Sequence, residues 1–251
     1  MIEFRKVING LETIARYHED DVASIFMPLL ERLSVMQRRK NGRILVMLAA
    51  PPGAGKSTLV DFLQELAAGR IDEFGDMPPI QVIGMDGFHR RQEFLMSHTV
   101  VRDGVEIPMV RIKGAPETFD LEHFQAAVQR VAAGETCGWP VYDRMLHNPV
   151  EDALTVDGEI VLLEGNYLLF DEVGWRDLRK CADYTIFLSA DEQVLRERLI
   201  GRRMKTGVDR EASEAFVDFS DMANVRACLA KRLPADLNLE VQGERIIEVR
   251  S

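Results

Sequence analysis

The sequence has few cysteines, no long hydrophobic run and no excess of positive charge, and each deficit excludes a class of protein. The three cysteines, Cys137, Cys181 and Cys228, are far apart and lack the spacing of a metal-binding set. We therefore expect buried, reduced thiols rather than a disulfide framework. No apolar run approaches the ~20 residues of a membrane span, and the first residues lack the apolar core of a signal peptide. The sequence thus predicts a cytoplasmic protein without a membrane partner.

The side-chain charges are predominantly acidic. The chain has 41 aspartates and glutamates against 31 lysines and arginines, which gives a formal net charge of −10. Because such a protein repels a phosphate backbone, we do not expect nucleic acid as a partner. The length of 251 residues, with 46% hydrophobic and 29% charged residues, is typical of one globular domain with a large core. The sequence contains no internal repeat and no low-complexity linker that would divide it.

A glycine-rich loop between a predicted strand and a predicted helix carries the clearest chemical signal. The apolar run of residues 44–49 leads into Pro-Pro-Gly-Ala-Gly-Lys-Ser-Thr, after which apolar residues recur at helical spacing. Glycines let backbone N–H groups turn toward an anion, and the start of the helix adds its own free N–H groups. The pattern predicts a phosphate-binding loop for a nucleotide triphosphate, although Ala50 replaces the usual first glycine. The predicted nucleotide-binding residues are Pro52, Gly53, Ala54, Gly55, Lys56, Ser57 and Thr58.

Two residues of this loop have distinct expected roles. Lys56 would contact the β- and γ-phosphates as a point charge, and the Ser57 hydroxyl would ligate Mg²⁺. The alternative interpretation is a Gly/Pro turn that happens to precede a Lys-Ser-Thr helix. The flanking strand and helix both favour the phosphate-binding loop.

Apolar strands alternate with helices along most of the chain, which predicts an α/β fold. Because the strands are apolar on both sides, we expect three layers, with a mainly parallel central sheet covered by helices on both faces. Further strands are predicted at residues 80–85, 159–163 and 184–188. Helices are predicted from Pro28, from residue 121 after a cap at Asp120, from a capping box at residues 189–192, and over about 210–232.

We assign the whole chain, residues 1–251, to one domain. Residues 1–42 are predicted to form an N-terminal hairpin, with Asn9-Gly10 as its turn, and a helix. Residues 90–117 read as a long irregular surface segment with a strand pair near residues 102–105, and such segments are usually functional. Residues from about 200 to 225 are a candidate helical lid, and residues 237–249 suggest a closing hairpin or strand.

Two carboxylates follow predicted central strands. Asp86 and Glu164 come at the ends of strands whose carboxyl ends should share one edge with the phosphate-binding loop. Either could orient an acceptor hydroxyl or hold Mg²⁺. We assign Asp86 as the base facing the acceptor and Glu164 as the carboxylate on the metal side. A turn role for Asp86 and a helix-capping role for Glu164 are the alternatives.

Five ordered motifs resemble a known family over about residues 20–235. The sequence is similar to the uridine kinase, phosphoribulokinase and pantothenate kinase superfamily, and within it to the branch labelled fructose-transport-system or nucleoside/nucleotide kinase-like proteins. The resemblance implies a P-loop NTPase fold, ATP as phosphate donor, Mg²⁺ and transfer to a hydroxyl of a small molecule. The motifs are the phosphate-binding loop, Asp-Gly-Phe-His at 86–89, residues 113–120, Tyr142-Asp-Arg with His147, and residues 164–169.

The resemblance also implies roles for single residues. Asp86 matches the family's base toward the acceptor hydroxyl, and Tyr142 and His147 match acceptor-pocket residues. Arg198 and Arg202 fall on the helix that leads to an arginine-bearing lid. The segment of residues 94–112 is longer than in relatives and lies where the acceptor should bind, so the acceptor itself cannot be transferred from any member.

Other candidates have a functional and a structural interpretation that the sequence does not separate. His89 contacts the acceptor or only its own turn, and Arg90 with Arg91 attracts an anionic acceptor or forms a solvated pair. Glu117 holds the acceptor or belongs to the segment that sets up the Asp120 cap. Asp143 and Arg144 act in the site or pair with each other. His147 acts in the site or belongs to a turn. The four arginines of one predicted helix supply a clamp or form a solvated helix face: Arg196, Arg198, Arg202 and Arg203.

The function predicted from these residues is transfer of a γ-phosphate to a sugar, nucleoside or pantothenate-like acceptor. The rival from another class is an ATP-binding regulatory or assembly protein that hydrolyses ATP slowly. Such a protein would need no acceptor base, so Asp86, Tyr142 and His147 count against it. The sequence leaves the oligomeric state open, a homodimer included.

Overall fold

The computed structural model describes residues 1–8, 11–71, 77–102 and 104–249. Its centre is a six-stranded sheet in which the strand pairs are parallel, except at one edge. In spatial order the strands are β12 (Arg245–Glu248), β11 (Leu237–Gln242), β10 (Tyr184–Ala190), β3 (Ile44–Ala49), β9 (Ile160–Gly165) and β4 (Ile80–Gly84). The predicted mainly parallel α/β sheet is confirmed.

Both faces of this sheet are buried, as the continuous apolar strands require. In β3, Ile44, Val46 and Leu48 contribute to one hydrophobic cluster, whereas Leu45 and Met47 contribute to the other. Because successive side chains of a strand point to opposite faces, a strand that is apolar at every position needs helices on both sides. The helices are α1 (Glu19–Asp21), α2 (Met27–Lys40), α3 (Lys56–Ala67), α4 (Gln92–Ser97), α5 (Leu121–Ala132), α6 (Glu192–Met204), α7 (Arg210–Phe216) and α8 (Met222–Ala230).

An N-terminal hairpin packs against the helix that follows the phosphate-binding loop. Strands β1 (Ile2–Ile8) and β2 (Leu11–Tyr17) pair as predicted, while the predicted turn at residues 9–10 lies outside the described residues. Tyr17 places its ring 4.1 Å from that of Phe62 on α3, and Phe4 and Phe26 pack around the same ring. These contacts hold α3 in place from the side opposite the sheet strands.

The helix predicted from Pro28 begins earlier than expected. Pro28 does lie in the first turn of α2, where its missing N–H costs least. However, the helical path already starts at Glu19 and runs through a π-helical stretch, Val22–Phe26. Val22 and Phe26 bury their side chains in the core, so packing extends the helix beyond the boundary that proline suggested.

A large insertion between β4 and β9 carries most of the structure on the acceptor side of the sheet. The predicted strand pair is present as β5 (Thr99–Arg102) and β6 (Val105–Pro108), but the prediction of an otherwise irregular segment was wrong. The segment also contains α4 and short 3₁₀ turns, because Leu95, Met109 and Ile112 are buried and need regular backbone hydrogen bonding. A ribbon of β7 (Cys137–Asp143) and β8 (Asn148–Val156) completes the insertion.

The C-terminal helices differ from the prediction in two ways. The helix α6 is capped by Asp191, which accepts hydrogen bonds from the backbone N–H groups of Gln193 and Val194, so the capping box at residues 189–192 was wrong. Ser189 instead lies in β10 and donates to a carbonyl of β11. The candidate lid, residues 200–225, includes two fully buried residues, Val217 and Val225, which anchor part of it in the core. Only the part near α7 could therefore move as a lid, and its closure stays a prediction.

Two expectations from composition can be compared with the structure directly. Cys137 and Cys228 are buried free thiols, but Cys181 is half-buried, so the expectation of burial holds for two of the three. Within the described ranges, no helix combines the length and the apolar character needed to cross a bilayer.

Arg43 links the start of β3 to two other chain segments, one at Glu135 and one over residues 156–158, which makes it a test of the fold. Its guanidinium donates hydrogen bonds to the carbonyls of Gly158, Glu135 and Val156, at 2.7, 2.5 and 3.3 Å. Arg43→Ala leaves these half-buried carbonyls without a charged donor, so we expect the free energy of unfolding to fall by about 2–3 kcal/mol. Chemical denaturation measures it, with the exposed Arg39→Ala as control; equal effects of the two substitutions would contradict the assignment.

Candidate active site

The phosphate-binding loop has the backbone conformation that an anion site needs. Gly53 and Gly55 adopt φ angles of 83° and 95°, a region that side chains other than glycine rarely tolerate. Gly55 is the N-cap of α3 and supplies no side-chain hydrogen bond, so the N–H groups of the first helical turn remain available to a ligand. The loop and the positive end of the α3 dipole therefore face the same point.

Helix α6 supports the loop from behind. A Cβ atom at Gly53 would lie 3.1 Å from Leu199 Cγ and 3.2 Å from the Leu195 carbonyl, so no larger residue fits without a shift. Arg198 donates a hydrogen bond to the Ala54 carbonyl at 3.3 Å. This contact places Arg198 against the loop backbone, and its predicted role as a clamp stays a prediction.

A buried carboxylate lies directly behind the loop. Ser57 Oγ donates to Glu164 Oε1 at 3.1 Å, and Lys56 Nζ lies 3.8 Å from Glu164 Oε2. Burial raises the pKa of Glu164 above its ordinary value; the Lys56 ammonium opposes this rise, and the Asp86 carboxylate adds to it. Glu164 Oε2 is buried and has no hydrogen-bond partner in the part of the chain that is described.

This arrangement fits a magnesium ion. A buried carboxylate oxygen without a donor is costly unless a cation approaches it. The residues that the structure describes contain no group of three or more His, Cys, Asp or Glu side chains that could hold a metal. Mg²⁺ does not need such a cage, because it keeps water ligands and is bound by one or two protein oxygens together with phosphates. Ser57 and Glu164 are suitable protein ligands of that kind.

Asp86 lies at the same edge of the sheet as the loop. It occupies the 3₁₀ turn Met85–Phe88 after β4, with 43% of its side chain exposed, and Arg144 Nη2 is 3.5 Å from its Oδ2. Burial tends to raise the pKa of Asp86, but His89, in the protonated form that it takes at acidic pH, and the Lys56, Arg144 and Arg202 cations outweigh this effect and bring the pKa below its ordinary value. Asp86 is therefore ionised at neutral pH, within the field of the loop lysine.

An aromatic and basic cluster lies beside Asp86. The His89 ring nitrogen Nδ1 is 2.9 Å from the Asp86 carbonyl, and its ring packs 4.0 Å from Phe119 and 5.3 Å from Tyr142. Burial lowers the pKa of His89, so the imidazole is uncharged at neutral pH. Lys113 Nζ donates to the Tyr142 hydroxyl at 2.6 Å. His89 and Tyr142 thus lie together beside Asp86; the acceptor role of Tyr142, which the resemblance implied, and that of His89 stay predictions.

Three other predicted acceptor residues have structural partners. Glu117 forms a bidentate ion pair with Arg102, with a shortest distance of 2.7 Å. Asp143 accepts hydrogen bonds from backbone N–H groups in the following turn, at 2.7 and 2.9 Å, so the pairing of Asp143 with Arg144 was wrong. His147 is exposed and has a φ of 51°; its carbonyl, rather than its ring, accepts a hydrogen bond from Lys113.

Arg90 lies beside a cleft next to the cluster rather than on Asp86. Its guanidinium is 3.4 Å from Asp120 Oδ2 and 4.7 Å from the centre of the Phe94 ring. The cleft has a volume of about 270 Å³ and is lined in part by His89 and Arg90. Arg91 is exposed on its rim.

The arginines of α6 have different surroundings. Arg196 pairs with Asp218 at 2.7 Å, and Arg203 stacks 3.8 Å from the centre of the Phe216 ring. Arg202 is exposed, and its charge acts on Asp86 as well as on the buried Asp221. The position of Arg202 therefore suits the clamp role better than that of Arg198.

Sequence reasoning missed two residues at the site. Lys113 was considered only as the start of a motif, and Gln92, which accepts a hydrogen bond from Lys113 at 2.8 Å, was not considered. Both lie far from Tyr142 in the sequence, and no local pattern brings them together. The tertiary packing of the insertion places them beside Asp86.

The family model for the phosphoribulokinase/uridine kinase family matches residues 45–248. The chain belongs to this family. An uncharacterized Escherichia coli protein, YggC, is 39% identical over 94% of both chains. A "putative uridine kinase" of Schizosaccharomyces pombe is 31% identical, over 79% of this chain and 83% of its own. A solved structure described as a "putative fructose transport system kinase" from Silicibacter sp. TM1040 shares 36% identity with a TM-score of 0.73, over 86% of this chain and 98% of that one.

Membership of the phosphoribulokinase/uridine kinase family confirms the resemblance drawn from the motifs. It also confirms the P-loop kinase fold, since the Silicibacter structure has the same overall arrangement. The matched range includes the loop, Asp86, Lys113 and Glu164. The acceptor is not established by any of these matches.

Gly87 controls how the turn that carries Asp86 sits on the ribbon. A Cβ atom there would lie 2.0 Å from the Pro140 carbonyl oxygen and 2.4 Å from its carbon, so the two backbones must separate. We expect Gly87→Ala to lower the free energy of unfolding by about 1–3 kcal/mol. Gly42→Ala, with nothing within 4 Å of its Cβ, is the control in thermal or chemical denaturation. A Gly87→Ala variant as stable as that control would show that the turn does not need this close approach.

Proposed function

We propose that this protein is an ATP-dependent small-molecule kinase that transfers the γ-phosphate to a hydroxyl of a sugar, nucleoside or pantothenate-like acceptor. The observation that carries the proposal is the position of Asp86. Its ionised carboxylate lies within the field of Lys56 on the phosphate-binding loop and 3.5 Å from the Arg144 guanidinium, and the His89 ring lies against the backbone carbonyl of the same residue. A carboxylate between a phosphate site and an acceptor site is what a hydroxyl acceptor requires.

The loop would bind the ATP phosphates. Backbone N–H groups of residues 53–57 and the start of α3 would donate to phosphate oxygens, and Lys56 would add its charge. Ser57 and Glu164 would hold Mg²⁺. When bound, the ion would neutralise negative charge on the phosphates as it develops.

Asp86 would position the acceptor. The acceptor hydroxyl donates a hydrogen bond to the carboxylate, which orients the oxygen for in-line attack on the γ-phosphorus. A carboxylate with a low pKa is too weak a base to remove an alcohol proton early, so Asp86 accepts the proton late, as the new P–O bond forms. Arg202 would close over the transferred phosphoryl group and help to exclude water, since an open site would hydrolyse ATP.

The descriptions of two similar proteins support a small-molecule acceptor, since one is a "putative uridine kinase" and the other a "putative fructose transport system kinase".

We also propose a single kinase domain over residues 1–251, with residues 1–42 as an N-terminal hairpin and helix and residues 200–225 as the lid. A cytoplasmic location and a homodimer stay predictions. The alternative, an ATP-binding regulatory or assembly protein, is not favoured, because such a protein would need no acceptor base and so would not explain Asp86 and its neighbours.

Substitution of Asp86 tests the proposal. We expect Asp86→Asn to lower acceptor-dependent release of ADP by about 10²–10⁴-fold, because the amide cannot accept the proton. ATP affinity, measured by titration calorimetry, should stay the same because the loop is untouched. The surface variant Asp177→Asn, which breaks an exposed pair with Lys180, is the control. If Asp86→Asn turned over like the control, the proposed base would be wrong.

Glu164→Gln separates metal binding from folding. The amide keeps the shape of the side chain. It removes a charge whose buried Oε2 atom has no hydrogen-bond donor, but it also ends the attraction to Lys56 at 3.8 Å, so without Mg²⁺ we expect little change in thermal stability. The Mg²⁺ concentration needed for half-maximal ATP binding should rise by about tenfold to a hundredfold. Glu159→Gln, at the exposed start of the same strand, serves as control. An unchanged Mg²⁺ requirement would remove Glu164 from the metal site.

A further inference from the structure

Within the described residues, the hydrogen-bond partners of the Lys113 cation are all uncharged. Its ammonium donates hydrogen bonds to Gln92 Oε1 at 2.8 Å, to the Tyr142 hydroxyl at 2.6 Å and to the His147 carbonyl at 3.3 Å. An ammonium has three N–H donors, and the longest of these bonds, to the carbonyl of the exposed His147, is the one that a charged acceptor would replace. Lys113 is therefore held firmly, but its charge is not neutralised by these partners.

The surroundings disfavour this charge. Lys113 is half-buried, and burial lowers its pKa; the neighbouring Arg144 guanidinium lowers it further. Among the described carboxylates near the cluster, Glu117 pairs with Arg102, Asp143 accepts from backbone N–H groups, and Asp86 lies 3.5 Å from Arg144. Placing two cations side by side, one of them partly desolvated, is costly in a protein unless an anion joins them.

Arg144 is placed so that it can change partners. It lies on the turn between β7 and β8, where Met145 and Leu146 are 91% and 62% exposed, so little packing restrains the turn. Its contact with Asp86, at 3.5 Å, is the contact that an acceptor hydroxyl would have to share or displace. A hydroxyl that donates to Asp86 competes with the guanidinium for this carboxylate, so Arg144 can turn toward a second anion nearby.

We propose that the acceptor carries an anionic group, a phosphate or a carboxylate, which binds between Lys113 and Arg144 while the acceptor hydroxyl faces Asp86. The inference rests on the proposed kinase function and specifies its substrate class. Among the described residues, a neutral sugar or nucleoside would leave Lys113 without a counter-ion and Arg144 with Asp86 alone. An anionic acceptor satisfies them, and Tyr142, which binds Lys113 through its hydroxyl and lies 5.9 Å from the Arg144 guanidinium, forms the wall between them.

A screen of matched acceptors tests the charge requirement. Each pair differs in an anionic group: D-ribose and ribose 5-phosphate, uridine and uridine 5′-monophosphate, glycerol and glycerate, panthenol and pantothenate. The readout is ADP release with Mg²⁺ and ATP. We expect stimulation by an anionic member and at least tenfold weaker stimulation by its neutral partner. The pairs also distinguish a phosphate from a carboxylate as the anchoring group.

Two variants test the residues. For the best anionic acceptor, we expect Lys113→Gln and Arg144→Gln each to raise the KM for that acceptor by about tenfold to a hundredfold, because each removes a charge-assisted contact. The KM for ATP should stay unchanged. Lys40→Gln, which breaks an ion pair with Asp183 far from Asp86, is the matched control. Thermal unfolding checks each variant, and if Lys113→Gln does not fold, Arg144→Gln on the exposed turn still decides the outcome.

Binding without turnover separates this inference from the proposed function. The same acceptors are titrated into protein saturated with Mg²⁺ and a non-hydrolysable ATP analogue. Anion binding that needs Lys113 and Arg144, without any ADP release, supports the anion site and overturns the kinase proposal. Turnover with neutral acceptors only overturns the anion site and leaves the kinase. If the acceptors neither bind nor stimulate turnover, both the anion site and the kinase proposal are overturned.

Discussion

The parallel pairing of β3, β9 and β4 is the constraint on which the site depends. In this register Leu48, Glu164 and Gly84 lie side by side, so the loop after β3, the carboxylate of β9 and the turn after β4 meet at one edge. The carboxyl ends of parallel strands lie at the same edge of a sheet. Strands β3 and β9 are neighbours inside the sheet, and β4 is the edge strand beside β9. A carboxylate that would be costly elsewhere in a core is placed where a nucleotide and its metal ion can compensate for it.

The rest of the core keeps this edge rigid. The aromatic cluster of Phe4, Tyr17 and Phe26 packs against α3 through Phe62, while α6 packs against the loop at Gly53. A phosphate-binding loop with positive φ angles is strained for most residues and needs support from both sides. The N-terminal hairpin, which has no chemical group in the site, thus contributes to its preorganisation.

The acceptor side is built differently from the nucleotide side. There the residues come from an insertion in which a 3₁₀ turn, a short helix and a two-stranded ribbon meet, and the groups around Asp86 belong to segments far apart in sequence. Most of its charges form pairs within the protein, such as Glu117 with Arg102. The exception at Lys113 is informative because a partly desolvated charge that the fold leaves without a counter-ion points to a ligand.

The amino-acid sequence by itself determined the elements whose signals are local. Strand period, glycine positions and the Lys-Ser pair identified the phosphate-binding loop, and apolar strands followed by Asp86 and Glu164 identified the edge of the sheet, because both signals span only a few residues. Tertiary structure decided what depends on distant segments. Packing of Val22 and Phe26 extended a helix past the proline boundary, and the fold of the insertion paired Arg144 with Asp86 instead of Asp143. Contacts between segments far apart in sequence leave no local pattern, so the nucleotide side could be read from the sequence and the partners on the acceptor side could not.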